Sequence, residues 1–160
     1  MENNVAQMEK VNTHSMKWHK FLIYFSLWAG AVLNVVAAFA RFTGSMYGSS
    51  GEADMVYSYF KGLKTIDVLF GVVMIAIAIF SIVTRFALAG YKAAGPKMLM
   101  GLYIIDAAVS IVYLVVASLV TGIALGELID SSTISSLVTS IAMVFVNKAY
   151  YGKRAELFVN

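Results

Sequence analysis

Four long apolar runs, separated by short polar or charged segments, organise the chain. Phe21 to Ala40 (FLIYFSLWAGAVLNVVAAFA) is twenty residues without a charge, and about 20 apolar residues suffice for a helix to cross a hydrocarbon core. Thr65 to Thr84 repeats the pattern with Asp67 as its only charge, and Met98 to Leu125 does so with Asp106. Gly95-Pro96 stands just ahead of the third run, where proline suits a first helical turn. The fourth run, from Ser132 to Val146 and on toward Tyr151, is shorter and rich in Ser and Thr. Asp130-Ser131-Ser132 offers N-cap residues for it, and Tyr150-Tyr151 reads as an interfacial aromatic anchor. Strands are excluded by length, since membrane β-strands are alternating segments of about ten residues. Ala38-Phe39-Ala40 mimics a signal-peptide cleavage site, but the run before it exceeds the roughly 7 to 15 residues of a signal core. The pattern therefore predicts an all-α polytopic membrane protein with four transmembrane helices in an antiparallel bundle. The expected spans are about 20–41, 64–84, 97–123 and 132–150, within a domain of residues 17–151. A flexible tail, 1–16, precedes it and a C-terminal end, 152–160, follows.

Composition supports this class. Sixty per cent of the 160 residues are hydrophobic and 13% charged, against about half and a quarter in soluble domains. With no cysteine there is no disulfide framework and no thiolate metal site. Orientation follows from the placement of Lys and Arg. With four spans, one side holds nine of them: Lys10, Lys17, Lys20, Arg85, Lys92, Lys97, Lys148, Lys153 and Arg154. The other side holds three, Arg41, Lys61 and Lys64. The bias predicts both termini in the cytoplasm, so the net charge of +3 is an insertion signal and not a nucleic-acid patch. The first loop is the longest connection. Its early part (Gly44, Gly48, Gly51) reads as flexible, and Ala53 to Lys64 reads as an interfacial turn or an early extension of the second span.

Within the spans, polar residues are the costly and informative ones. Asp106 lies nine residues beyond Lys97, about 13 Å deep at 1.5 Å per residue. Helical spacing aligns Tyr103, Asp106, Ser110, Tyr113, Ala117 and Thr121 on one stripe. This stripe supports a protonatable or cation-binding carboxylate in a polar cleft, but it suits better a buried Asp, neutral or hydrogen-bonded, that fixes packing. Asp67 sits one turn from Lys64, which predicts an interfacial ion pair, and its stripe of Gly71, Met74, Ala78 and Ser81 is small enough for close helix approach. Asn34, with Gly30 one turn before it, is expected to hydrogen-bond a neighbouring helix. Ser132, Ser136, Ser140 and Asn147 mark the fourth span as a helix-contact face. The candidate ion or proton site thus comprises Asp106, Tyr103, Ser110, Tyr113, Asp67 and Asn34. His14 and His19 are five residues apart, a spacing unsuited to one helical metal face, and read as tail or interface residues. No nucleophile and base pair, phosphate loop or cofactor motif emerges.

The stretches Met16 to Gly30 (MKWHKFLIYFSLWAG), Thr84 to Pro96 (TRFALAGYKAAGP) and Tyr150 to Asn160 (YYGKRAELFVN) resemble small uncharacterised four-span membrane proteins of gut Firmicutes. Some of those carry a zinc ribbon before the first span, which this cysteine-free chain lacks. The resemblance implies a multi-pass protein of the bacterial plasma (inner) membrane and transfers no activity. The expectation is a non-enzymatic accessory or assembly subunit acting through helix contacts, with no cofactor. Its partners would be the lipid bilayer and a membrane-protein partner or second copy. The alternative is a small transporter or channel subunit coupling protons or cations through Asp106, with Asp67 as a further group.

Overall fold

The computed structural model describes residues 15–160; the polar N-terminal stretch, with Lys10 and His14, lies outside the described residues. Every regular element among the described residues is helical. In chain order these are α1 (Lys17–Thr43), α2 (Ser50–Tyr59), α3 (Leu63–Ala89), α4 (Gly95–Thr121), the short α5 (Leu125–Leu128) and α6 (Ser131–Gly152). By length and composition α1, α3, α4 and α6 can each cross a membrane.

Local chemistry sets the ends of these helices. Gly44 terminates α1 in the left-handed region at φ 74°. A Cβ there would lie 2.9 Å from both Ala53 and the Tyr57 ring, so glycine is required by conformation and by space. Gly122 closes α4 in the same conformation, at φ 71°. Pro96 occupies the first turn of α4, where its missing N–H costs nothing. Of the three N-cap candidates before α6, Asp130 performs the role: its carboxylate accepts from the Thr133 amide at 2.7 Å. The bonds from Thr133 and Ser132 hold that carboxyl down at about 2.

Two segments differ from the sequence expectation. The first loop is ordered: a 3-10 turn over Ser45–Tyr47 leads into α2, where the Glu52 carboxylate accepts from the Ser49 amide at 2.6 Å as a capping box. Its second half is not an extension of α3, because Phe60 and Gly62 (φ 97°) break the helix between them. The second span also continues past Thr84 to Ala89. Arg85 is accommodated there because its Nε donates to the Ile23 carbonyl at 3.1 Å and its guanidinium lies 4.8 Å from the Phe86 ring centroid.

That carbonyl belongs to a π-helical turn, Leu22–Ser26, inside α1. A π turn disrupts the regular i−4 ladder and leaves carbonyls short of donors. Helix α3 donates alongside it: Arg85 reaches Ile23 within the turn, and the Ser81 hydroxyl donates to the carbonyl of Leu27, the residue just after it, at 2.9 Å.

Packing follows chain order, α1 along α3, α3 along α4, and α4 along α6. Helices α1 and α6 meet through the first turn of α1, where Trp18 Nε1 donates to Asn147 Oδ1 at 3.0 Å and His19 Nδ1 lies 3.0 Å from the Tyr151 hydroxyl. Around this end lies the main apolar core, including Leu22, Leu88, Leu99, Tyr151, Leu157 and Phe158. The C-terminal segment folds back onto it, with Ala93 N–H donating to the Asn160 carbonyl at 3.0 Å and Asn160 Nδ2 donating to the Gly90 carbonyl at 3.3 Å. Polarity is otherwise inverted relative to a water-soluble domain. Leu119 is 78% exposed and Leu33 67%, whereas Asp67, Thr84 and Asn147 are fully buried. Outward leucines and inward polar groups suit hydrocarbon surroundings, where an unpaired polar group is costly and an exposed leucine is not.

Candidate functional site

Three polar groupings occupy different depths of the fold. The first surrounds Asp67 on α3, at the end opposite the first turn of α1 and the C-terminal segment. Its Oδ1 accepts from Tyr113 of α4 at 2.9 Å and from Arg41 of α1 at 3.4 Å. Its Oδ2 accepts from Tyr47 at 2.9 Å and from Tyr57 of α2 at 3.1 Å. Arg41 also stacks on Tyr113, 3.8 Å from the ring centroid, and Phe70 meets the same ring edge-on. Burial and the nearby Tyr113 push the Tyr47 phenol up; burial and then the Asp67 charge push Tyr57 up to about 12. Both therefore remain protonated donors at neutral pH.

A carboxylate offers about four lone-pair sites, and here all four have a donor. Asp67 is thus a saturated, charge-compensated latch that ties the first loop to α1, α3 and α4. The expected Lys64 pair is not formed; Lys64 instead lies 5.7 Å from the Tyr57 ring centroid. With its acceptors filled and no exposed surface, Asp67 stands apart from the cavity that Asp106 lines. Sequence reading missed Arg41, Tyr47 and Tyr57 as its partners. The available signal was weak: an arginine directly behind an apolar run, and loop tyrosines 20 and 10 positions away.

The second grouping is a cavity of about 130 Å³ between α1, α3 and α4, whose polar lining is Ser26, Asn34, Ser81, Tyr103 and Asp106, with Gly30 beside them. Asp106 is half-buried. In contrast to Asp67, its carboxylate makes no hydrogen bond among the described residues. Ser110 does not reach that carboxylate and donates to the Asp106 backbone carbonyl at 2.9 Å. Tyr113 belongs to the Asp67 latch, so the predicted stripe divides between two sites. Asn34 does not bond a neighbouring helix as expected. Its Nδ2 donates at 3.0 Å to the Gly30 carbonyl of its own helix, leaving the amide oxygen available to the cavity.

The third grouping closes the end where the first turn of α1 meets the C-terminal segment. His19 is 1% exposed, not interfacial as the sequence suggested; its ring contacts Tyr91, Tyr151 and Phe158, and its Nε2 is buried without a partner among the described residues. Tyr151 likewise enters the core rather than serving as an anchor, while Tyr150 receives the His19 N–H at 3.3 Å and the stacked Arg154 guanidinium at 3.8 Å from its centroid.

The residues expected to pack helices separate by environment. Ser140 and Asn147 are buried against the fold, and a Cβ on Gly71 would collide with the Phe42 ring, so that close approach requires glycine. At Gly30 a Cβ would meet nothing within 4 Å, so it makes no such approach. Ser132 and Ser136 are exposed, and Ser132 serves the Asp130 cap, donating to it at 2.9 Å. The helix periodicity explains the split: Thr133, Leu137, Ser140, Val144, Asn147 and Tyr151 form the inward seam of α6, turned from the face carrying Ser132. No family model, curated protein or solved structure matches the chain.

Proposed function

We propose that this chain is a non-enzymatic, four-helix protein of a bacterial plasma membrane that acts through helix contacts as an accessory or assembly subunit. In this reading the helices alternate in direction and both termini are cytoplasmic. The concentration of Lys and Arg at the end where Ser15, Tyr91 and Asn160 meet supports that orientation.

One observation carries the reading: α6 has a second seam that the other described residues do not cover. Ser132, Ser135, Thr139, Ala142 and Val146 follow alternating three- and four-residue steps and are all exposed. Elsewhere the outward face carries large apolar side chains such as Leu33, Leu69 and Leu119. Hydroxyls in a membrane helix commonly return to a carbonyl one turn back, as Ser110, Thr121 and Thr43 do here. Ser135, Ser136 and Thr139 make no such bond within the described chain. Small side chains permit close backbone approach, and unpaired hydroxyls supply interhelical bonds. The seam is therefore suited to another transmembrane helix, from a second copy or a different subunit.

The native sequence has no cysteine, so single-cysteine variants give a clean test. Thr139→Cys should cross-link in native membranes to itself or to a co-purifying protein, whereas Leu119→Cys should not. Equal absence of cross-links at both positions, with the chain purifying alone, would overturn the proposal.

The Asp106 cavity supports a second reading, a proton- or cation-coupled role. Its volume suffices for several waters or a small cation, and its lining presents a carboxylate without a hydrogen-bond partner among the described residues beside an amide and three hydroxyls. Under that reading, reconstituted wild type carries pH-dependent cation flux, and Asp106→Asn abolishes the flux while retaining wild-type thermal stability. Flux surviving in the variant, or absent from wild type for every ion tried, would reject this second role.

A further inference from the structure

Between the first turn of α4 and the last turns of α6 lies an open cavity of about 330 Å³. Pro96, Met100, Tyr151 and Phe158 form its apolar walls, and Lys97 and Lys148 line it from the two helices. Tyr151 and Phe158 are buried, so these walls belong to the packed core, while both lysines are exposed. Neither lysine has an ion-pair partner among the described residues. Lys97 stands at a helix N-terminus, where the backbone already carries positive partial charge and a lysine is unfavourable without an anion. Lys17, Lys20, Lys92, Lys153 and Arg154 add to the positive field of this end, where Glu156 is the only side-chain carboxylate among the described residues. The cavity thus joins a divalent cationic mouth to an apolar floor at the edge of two spanning helices. That combination fits an amphiphile bearing a phosphate better than it fits a soluble anion.

From this geometry we infer that the cavity binds an anionic phospholipid, its phosphate held between Lys97 and Lys148 and its glycerol and first acyl carbons against Met100 and Phe158. Basic pockets between transmembrane helices are suited to such headgroups through charge complementarity with the membrane surface. Because Ala155 and Phe158 of the folded-back C-terminal segment complete the cavity wall, an occupying lipid also braces that segment. The inference rests on the reading that the four helices cross a bilayer, and is independent of any partner on α6.

The test uses the full-length protein in nanodiscs of phosphatidylcholine with increasing phosphatidylglycerol. Wild type should retain phosphatidylglycerol in native mass spectra after detergent extraction, and backbone amides of residues 155–160 should exchange more slowly as it is added. The double variant Lys97→Gln/Lys148→Gln should lose about tenfold in retained phosphatidylglycerol and lose the added protection. Lys20→Gln/Lys92→Gln removes the same charge from the same end and should keep both. Equal loss in the two double variants would overturn the site in favour of diffuse attraction. No preference for phosphatidylglycerol over phosphatidylcholine would also overturn it. So would inorganic phosphate giving the same protection in phosphatidylcholine alone, since the ligand would then be phosphate and not lipid. Thermal unfolding of each variant confirms that folded protein is compared.

Discussion

Replacing Asp67 with alanine is expected to destabilise the protein by about 3–5 kcal/mol, the range for removing one member of a buried ion pair. The carboxylate is fully buried and takes donors from Arg41, Tyr47, Tyr57 and Tyr113. Without it, a guanidinium whose side chain is only 12% exposed loses its counter-charge, and three phenols lose their acceptor. Asp67→Asn keeps the shape but deletes the charge and turns one acceptor into a donor facing other donors. Its loss should be smaller, about 1–3 kcal/mol. Arg41→Ala in the Asp67→Ala background should cost much less than Arg41→Ala alone, because the two charges share one interaction. Reversible unfolding in mixed micelles reads all four proteins. A loss below 1 kcal/mol for Asp67→Ala would mean that the latch is not formed in the membrane.

The contrast between Asp67 and Asp106 shows how far the sequence could be read. Both are single carboxylates in otherwise apolar runs, and helical spacing alone ranks them by depth. Depth points to Asp106, and it is Asp106 that lines a cavity without a partner. What spacing cannot supply is the partner set, because a local neighbour such as Lys64 is visible while Arg41, 26 positions away, is not. The same limit hid His19: its partner Tyr151 lies 132 residues along the chain. Helix starts were legible where the backbone demands a particular residue, as at Pro96 and Asp130, whereas the Gly122 stop of α4 was passed over in a run read on to Leu125. Faces were less legible. In lipid the outward side of a helix is as apolar as the inward side, so a hydrophobic stripe does not reveal the core. For α6 the difficulty doubled, since both seams carry serine or threonine, and only burial separates Ser140 and Asn147 from Ser132 and Ser136. The first loop was misread because its glycines suggest freedom, whereas Gly44 is fixed by contact with Ala53 and Tyr57.

Two glycines on stripes that look alike should respond in opposite ways to enlargement. Gly71 faces Phe42 of α1 so closely that any added carbon must displace the ring, and α1 with α3 forms one of the main helix contacts. Gly71→Leu is therefore expected to destabilise by about 1–3 kcal/mol through overpacking. Phe42→Ala in the same chain should restore part of that loss, since it vacates the space the leucine requires. Gly30 has the opposite surroundings, with nothing within 4 Å of an added Cβ. Gly30→Ala should be neutral or stabilising by up to about 1 kcal/mol, because alanine removes glycine's entropic penalty within a helix. The comparison isolates packing from propensity, as both positions lie inside long helices. If Gly71→Leu and Gly30→Ala shift unfolding in the same direction, or if Phe42→Ala fails to relieve the first, then α1 and α3 do not meet at this register.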